Sequence, residues 1–197
     1  MSLTPVFEIG LWNAWIFWAL ALLSMIFPDF FMRKEAKESS KRASQLVPYK
    51  KKKHKILARL THAVIMPFSM IYSVFLPLQI GTAWFYTGLL ICIGALVMSL
   101  MATIGFTRTS ISQPVTNGIY RFSRNPIYFS GFLLHLSIAI ASVSWIMLIC
   151  AILWIVFFHI VIPAEESYLI SRYGEGYLEY MKRTPKWIGI PKSIKKP

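Results

Sequence analysis

The longest apolar run of the chain decides its fold: IYFSGFLLHLSIAIASVSWIMLICAILWIVFFHIVI, residues 127–162. This run contains no Asp, Glu, Lys or Arg. A helix crosses the hydrocarbon core of a bilayer in roughly 20 residues, so the run is too long for a single crossing. Near its middle, residues 141–144 (Ala-Ser-Val-Ser) form a small and polar patch that suits a tight turn. The pattern therefore predicts a helical hairpin with legs at about 127–141 and 145–162.

Three further apolar segments precede the hairpin, at about residues 9–32, 56–80 and 83–104. Each has the length of one membrane-spanning helix. The chain is 56% hydrophobic and only 15% charged, whereas about a quarter of the residues of a soluble domain are charged. The sequence therefore predicts an all-α integral membrane protein with five transmembrane helices in a single domain, residues 1–197.

The placement of the basic residues predicts the orientation in the membrane. Basic residues cluster at 33–55, at 108–124 and at 172–196, while the connection 79–82 carries no charge. The positive-inside rule puts the three clusters in the cytoplasm and the amino terminus outside. Because the clusters lie next to apolar segments, anionic membrane lipids explain the net charge of +13 better than nucleic acid does. The segment 35–55 is predicted to be a charged loop, or else a helix lying on the lipid headgroups.

Small residues and prolines predict how the helices pack. Small side chains recur at spacings of four and three along the third helix, at Gly88, Cys92, Ala95, Ser99 and Ala102. Such a face allows close contact between helices in lipid. Pro67 and Pro77 are predicted to bend the second helix, and Cys150 is predicted to be a packing residue. Residues 1–10 lack a basic region and a cleavage site, so we expect the first helix to be retained.

The histidines do not predict a metal site. His135 and His159 lie about 8 and 16 residues from the hairpin turn, on different legs, so their depths differ by roughly 12 Å. No carboxylate or thiol stands at ligand spacing from either of them. We therefore predict that no metal is bound.

Polar residues collect where the two hairpin legs end. In an antiparallel hairpin, Arg124 and Asn125 before one leg meet Glu165 and Glu166 after the other. Two interpretations follow: an interfacial ion pair that caps the hairpin, or a polar binding site. The tyrosine-rich residues 168–180 then predict a cytoplasmic interfacial helix, interrupted near the two glycines at 174 and 176.

Three sequence blocks carry a family resemblance: VTNGIYR at 115–121, RNPIY at 124–128 followed by Gly131, and PAEESYL at 163–169 with YGEGYLEYMKRTP at 173–185. Over about residues 112–185 the chain resembles the isoprenylcysteine carboxyl methyltransferase family and its prokaryotic relatives. The resemblance implies a membrane methyltransferase that uses S-adenosylmethionine, releases S-adenosylhomocysteine and has no Rossmann domain. It also implies that residues 112–185 form the cofactor-binding and catalytic region at the cytoplasmic face.

The resemblance also implies roles for individual residues. The cofactor shell would comprise Gln113, Pro114, Val115, Tyr120, Asn125, Pro126, Ile127, Tyr128 and Glu165. Arg124 is a candidate to orient an anionic substrate or the cofactor carboxylate, and Glu165 to bind the amino or ribose groups of the cofactor. Arg124 and Glu166 are the predicted catalytic residues. Arg183 is a candidate to approach from the tail.

The methyl acceptor stays open at this stage. Eukaryotic members have histidines where this chain has Asn125 and Ser112, and an arginine for the substrate near Val161. We expect a lipophilic acceptor with a prenyl or lipid tail. A carboxylate acceptor needs no base, whereas an amine, as in phospholipid methylation, must lose a proton, for which Glu166 and His159 are candidates. The alternative of another class is a non-enzymatic, lipid-binding membrane scaffold, and the sequence does not predict an oligomeric state.

Overall fold

The computed structural model describes residues 8–31, 51–110 and 112–192. Helices make up most of these residues, and within them strand pairing is limited to one isolated bridge between Asn13 and Pro77. The helices are α1 (Trp15–Phe31), α2 (Lys52–Ser73), α3 (Ala83–Arg108), α4 (Pro126–Ala141), α5 (Trp145–Tyr173) and α6 (Glu175–Arg183), with a 3₁₀ turn at Gly118–Arg121. The all-α prediction is confirmed for the described part of the chain.

Helices α2, α3 and α5 are long and apolar enough to cross a membrane. Helix α4 and the apolar part of α1 are shorter. Five apolar helices thus occur in the predicted order, while their number of crossings and their orientation stay predictions. Of the segment 35–55, residues 35–50 lie outside the described residues, and the rest leads into α2 at Lys52.

The predicted hairpin between α4 and α5 is confirmed. The Ser144 hydroxyl caps α5 by accepting the Met147 N–H at 3.3 Å, and the Ser142 hydroxyl donates to the Ile138 carbonyl at 2.6 Å. Val143 between them has a φ of 52°, in the left-handed region. The small polar patch therefore does form the tight turn, with one strained residue at its centre.

Helix α3 packs closely against α4 through its small residues. The five small residues predicted to share a face are all buried. A Cβ added to Gly88 would lie 2.6 Å from the Ala141 Cβ and 2.7 Å from the Ser137 carbonyl oxygen. A Cβ added to Gly94, by contrast, would meet no atom within 4 Å. The predicted role of this face in helix contact is confirmed.

The two prolines predicted to bend α2 behave differently. Pro67 follows a π-helical turn at Thr61–Ile65, which widens the helix just before the proline ring. A proline ring collides with the carbonyl four residues earlier and cannot donate to it, so a wider turn at this point relieves the conflict. Pro77 lies beyond the end of α2 at Ser73, so the prediction that it bends this helix is wrong.

The prediction that the second hairpin leg ends at residue 162 is also wrong. Helix α5 continues through Pro163 to Tyr173. Pro163 cannot donate a hydrogen bond to the His159 carbonyl, but the Lys186 ammonium donates to that oxygen instead, at 3.0 Å. The Lys186 side chain thereby replaces the backbone donor that Pro163 lacks, and α5 continues past the proline.

The predicted interfacial helix is correspondingly shorter than expected. The residues from 168 to Tyr173 belong to α5, and the break falls at Gly174, whose φ is 59°. Gly176 lies inside α6 rather than at an interruption. Helix α6 therefore begins only at Glu175 and turns back towards the start of α4.

Candidate active site

The open end of the α4–α5 hairpin brings both glutamates against α4. The Arg124 Nε donates to Glu166 Oε1 at 2.9 Å, and the Tyr128 hydroxyl lies 3.0 Å from each carboxylate oxygen of Glu165. Both glutamates are only 7% exposed. The predicted meeting of these two distant segments is confirmed. We call Arg124, Asn125, Tyr128, Glu165 and Glu166 the polar rim.

The start of α4 explains why Tyr128 faces α5. Pro126 occupies the beginning of the helix, where its missing N–H costs nothing. Tyr128 therefore lies in the first turn, where its ring stacks on Phe158 at a centroid distance of 3.9 Å. The Tyr128 carbonyl accepts the Trp154 indole N–H at 2.9 Å. Two contacts from α5 thus fix the tyrosine that holds Glu165.

Arg124 ties three elements together. Besides its ion pair with Glu166, its Nη1 donates to the Met181 and Thr184 carbonyls at 2.8 and 2.9 Å, at the end of α6. These carbonyls lack partners within the helix, so the guanidinium acts as a helix cap. The interfacial ion pair that the sequence allowed is therefore present, and the catalytic role of Arg124 stays a prediction.

A C-terminal strap, which we define as residues 184–192, covers the polar rim. The Arg124 N–H donates to the Pro185 carbonyl and the Asn125 side-chain amide to the Lys186 carbonyl, both at 3.0 Å. Burial lowers the pKa of Lys186. Sequence reasoning missed the strap because its contacts with Arg124 and Asn125 are made by main-chain carbonyls, which every residue has. Trp187, a large aromatic residue in a polar tail, was the available signal.

The other predicted cofactor residues lie at different distances from the rim. Tyr120 is buried in the 3₁₀ turn, and its carbonyl accepts the Tyr180 hydroxyl at 2.7 Å. Burial raises the pKa of Tyr177, which is packed beside Tyr180 on α6. The loop residues 113–115 are exposed or half-buried, and no described hydrogen bond joins them to the rim. Arg183 is exposed.

An apolar cavity of about 150 Å³ adjoins the rim between α1, α2, α3, α4 and α5. Its lining includes Trp18, His62, Ser99, Ile127, Tyr128 and Trp154. No Asp, Glu, Lys or Arg lines this cavity. Tyr128 belongs to both the cavity and the rim, so the apolar space and the buried Glu165 carboxylate meet at one side chain.

The two histidines considered for metal binding lie in separate environments. His135 is buried and makes hydrogen bonds with the Ser69 hydroxyl at 3.1 Å and the Gly131 carbonyl at 2.7 Å. The His159 ring stacks on Trp187 of the strap. Across the described ranges, no group of three or more His, Cys, Asp or Glu side chains is placed to hold a metal ion.

Comparison with known proteins gives family matches. Residues 79–176 match the family model described as phospholipid methyltransferase. The chain is 33% identical over 125 residues to a protein-S-isoprenylcysteine O-methyltransferase of Dictyostelium discoideum, covering 58% of this chain and 52% of the relative. It is 37% identical over 79 residues to the Schizosaccharomyces pombe protein of that name, covering 39% and 32%.

The chain thus spans about half the length of the first relative and about a third of the second. No solved structure matches the chain significantly. The matches to the family model and to both relatives confirm the resemblance predicted from the three sequence blocks.

Proposed function

Because the chain belongs to the phospholipid and isoprenylcysteine methyltransferase family, we propose that it is an integral-membrane methyltransferase that uses S-adenosylmethionine and methylates a lipophilic acceptor. One observation carries the proposal: Tyr128 connects a buried carboxylate, Glu165, with an apolar cavity between the helices. A charged cofactor at the rim and an apolar substrate in the cavity would then both contact Tyr128.

The polar rim suits the cofactor chemically. S-adenosylmethionine supplies a methyl group on a positively charged sulfur, together with amino, carboxylate and ribose groups. Glu165 is a buried acceptor for the amino group or the ribose hydroxyls, and Arg124 is a cation for the carboxylate. The residues 113–115, Tyr120 and 125–128 complete the cofactor shell in this proposal, at the cytoplasmic face.

The cavity suits the tail of the acceptor. Its lining is apolar apart from a few hydroxyl, indole and imidazole groups, and it lies at the depth of the membrane helices. Methyl transfer from sulfur is an in-line displacement, so the protein must mainly align the nucleophile with the methyl group. A tail held in the cavity would place its headgroup beside Tyr128, next to the rim.

Two acceptor chemistries are supported by different observations. The relatives' name, isoprenylcysteine O-methyltransferase, favours a carboxylate, whose charge would be lost in a site shielded from water. No Arg or Lys lines the cavity, and the nearby cation of the rim, Arg124, is already paired with Glu166. This favours an amine over a carboxylate. The eukaryotic family members carry an arginine for the substrate near the position of Val161, and its absence from this chain agrees with the second chemistry.

The direct test is binding of S-adenosylhomocysteine to the purified full chain in detergent, measured by calorimetry. We expect Glu165→Gln to weaken binding at least tenfold, equivalent to about 1.4 kcal/mol. Glu179→Gln, on the exposed side of α6, is the matched control and should bind like the parent. A folded parent without affinity would contradict the proposal and favour the non-enzymatic scaffold.

The acceptor is tested separately by incorporation of labelled methyl groups. A farnesylated cysteine derivative presents a carboxylate, and vesicles containing phosphatidylethanolamine present an amine. Transfer to one and not the other would identify the acceptor chemistry, and transfer to neither by a protein that binds S-adenosylhomocysteine would exclude both.

A further inference from the structure

The π-helical turn of α2 presents a histidine to the apolar cavity. His62 lies in this turn and lines the cavity. Its ring packs edge-on against Phe158 at a centroid distance of 5.6 Å and tilted against Trp154 at 6.1 Å. π-turns occur frequently at functional sites because they reorient side chains within a helix. The turn accommodates Pro67 and at the same time directs His62 towards α5.

The hydrogen bond of His62 fixes which ring nitrogen is free. Its Nδ1 lies 2.9 Å from the Ala58 carbonyl oxygen, four residues earlier on the same helix. A carbonyl oxygen only accepts, so Nδ1 carries the hydrogen atom. In the neutral ring the unshared electron pair is therefore on Nε2. The His62 side chain is also exposed at the surface of the helices.

We propose that His62 is the residue on the acceptor side of the reaction, with Nε2 taking the proton of an amine headgroup whose tail occupies the cavity. This inference rests on the proposed methyltransferase function. The two bases predicted from the sequence are less suitable, because Glu166 is paired with Arg124 and His159 is stacked on Trp187. Neither of them lines the cavity.

The surroundings of His62 favour an amine over a carboxylate. Tyr128 is the other titratable group of the cavity lining, and its hydroxyl is hydrogen-bonded to Glu165. On the far side of Trp154 lies His135, whose ring centroid is 4.8 Å from that of Trp154. On its own helix, the neighbouring charge is Arg59, which is exposed. The aromatic faces of Tyr128 and Trp154 attract an ammonium group, and no Lys or Arg lines the cavity to repel it.

The proton and electron balance is simple. The acceptor ammonium gives one proton to Nε2, leaving a neutral amine and an imidazolium. The nitrogen lone pair then forms the bond to the methyl carbon as the carbon–sulfur bond breaks and its electron pair stays on sulfur. The products are a methylated ammonium and S-adenosylhomocysteine, and the imidazolium releases its proton to water.

The test compares the full chain with His62→Gln, which keeps a polar side chain but cannot carry the proton. Labelled methyl transfer to phosphatidylethanolamine in phosphatidylcholine vesicles is measured from pH 5 to 9. We expect kcat to fall on the order of 100-fold or more, with S-adenosylhomocysteine affinity within about threefold of the parent. Added imidazole should restore part of the rate of the variant, because it can take the proton in place of the missing His62 ring. His54→Gln, eight residues earlier on α2, is the matched control.

The other possible results would contradict either the role of His62 or the proposed function. An unchanged kcat in His62→Gln would overturn the role of His62. A parent that binds S-adenosylhomocysteine and methylates farnesylated cysteine, but not the amine lipid, would overturn the inference and leave the proposed function standing. A parent that does not bind S-adenosylhomocysteine would remove the proposed function itself.

Discussion

The two ends of the α4–α5 hairpin are stabilised differently, the turn end by close packing and the open end by polar contacts. At the turn end, Gly88 of α3 approaches Ala141 so closely that a single added carbon would collide with it. At the open end, the polar rim is held by an ion pair and by hydrogen bonds, several of them to the strap. The comparison teaches that the turn end is sensitive to added volume, whereas the open end is sensitive to a lost polar partner. Four sets of variants test this contrast, beginning with the largest expected effect.

Removing Arg124 should have the largest effect on stability. Arg124→Ala leaves Glu166 buried without its cation and deprives two carbonyls at the end of α6 of their donor. Breaking a buried pair in this way costs about 3–5 kcal/mol. Unfolding of the detergent-solubilised protein by denaturant measures the loss. Arg121→Ala is the control, because Arg121 is exposed and should change stability by less than about 0.5 kcal/mol. Equal effects of the two substitutions would contradict the role given to Arg124.

Adding one methyl group should have opposite effects on stability at two glycines of the same helix. Gly88→Ala forces a contact of 2.6 Å with Ala141, and we expect it to destabilise the fold by about 1–3 kcal/mol. Gly94→Ala meets open space, so the helix propensity of alanine should stabilise α3 by up to about 1 kcal/mol. The same unfolding measurement gives both values. If both substitutions stabilise the protein, the turn end is not limited by volume.

Removing one hydroxyl should distinguish the rim from the packing beneath it. Tyr128→Phe keeps the ring that stacks on Phe158 but loses the hydrogen bonds to Glu165. We expect a stability loss of only about 1 kcal/mol, together with weaker binding of S-adenosylhomocysteine in calorimetry. A variant with parental affinity would show that Glu165 does not need this tyrosine to serve the cofactor.

The smallest effect is expected at the turn itself. Val143 adopts a φ of 52°, which a β-branched residue adopts only at a cost. Val143→Gly should therefore stabilise the protein, by less than about 1 kcal/mol because glycine also loses more backbone freedom on folding. Ser142→Gly is the control, since Ser142 has an ordinary φ of −103° and donates to the Ile138 carbonyl. It should destabilise the protein in the same unfolding assay.

Much of the fold was predictable because it depends on local pattern. The lengths of the apolar segments predicted the five apolar helices, and the small polar patch predicted the turn. The end of α5 was not predictable by the same means. Pro163 normally ends a helix, and the donor that satisfies the His159 carbonyl comes from Lys186 in the tail. A rule based on neighbouring residues does not include such a distant partner.

The candidate site, like the fold, was predictable from the sequence only in part. Equal distance from the hairpin turn predicted that Arg124 and Glu166 meet, because antiparallel helices fix the relative depth of their residues. The orientation of His62 was not predictable, since it depends on the π-turn and on which nitrogen the Ala58 carbonyl engages. Those details arise from packing around Pro67 and not from residue spacing.

The strap has a consequence for how the sequences of related proteins diverge. Thr184, Pro185 and Lys186 contribute carbonyl oxygens to Arg124 and Asn125, and nearly any amino acid offers the same oxygen. Substitutions that keep the backbone path therefore preserve these hydrogen bonds, whereas the bond from the Lys186 ammonium to the His159 carbonyl needs the lysine side chain. The match to the family model ends at residue 176, while the blocks that resemble the family extend to Pro185. We therefore expect sequences to diverge more between relatives at strap positions that contribute only carbonyl oxygens than at Lys186.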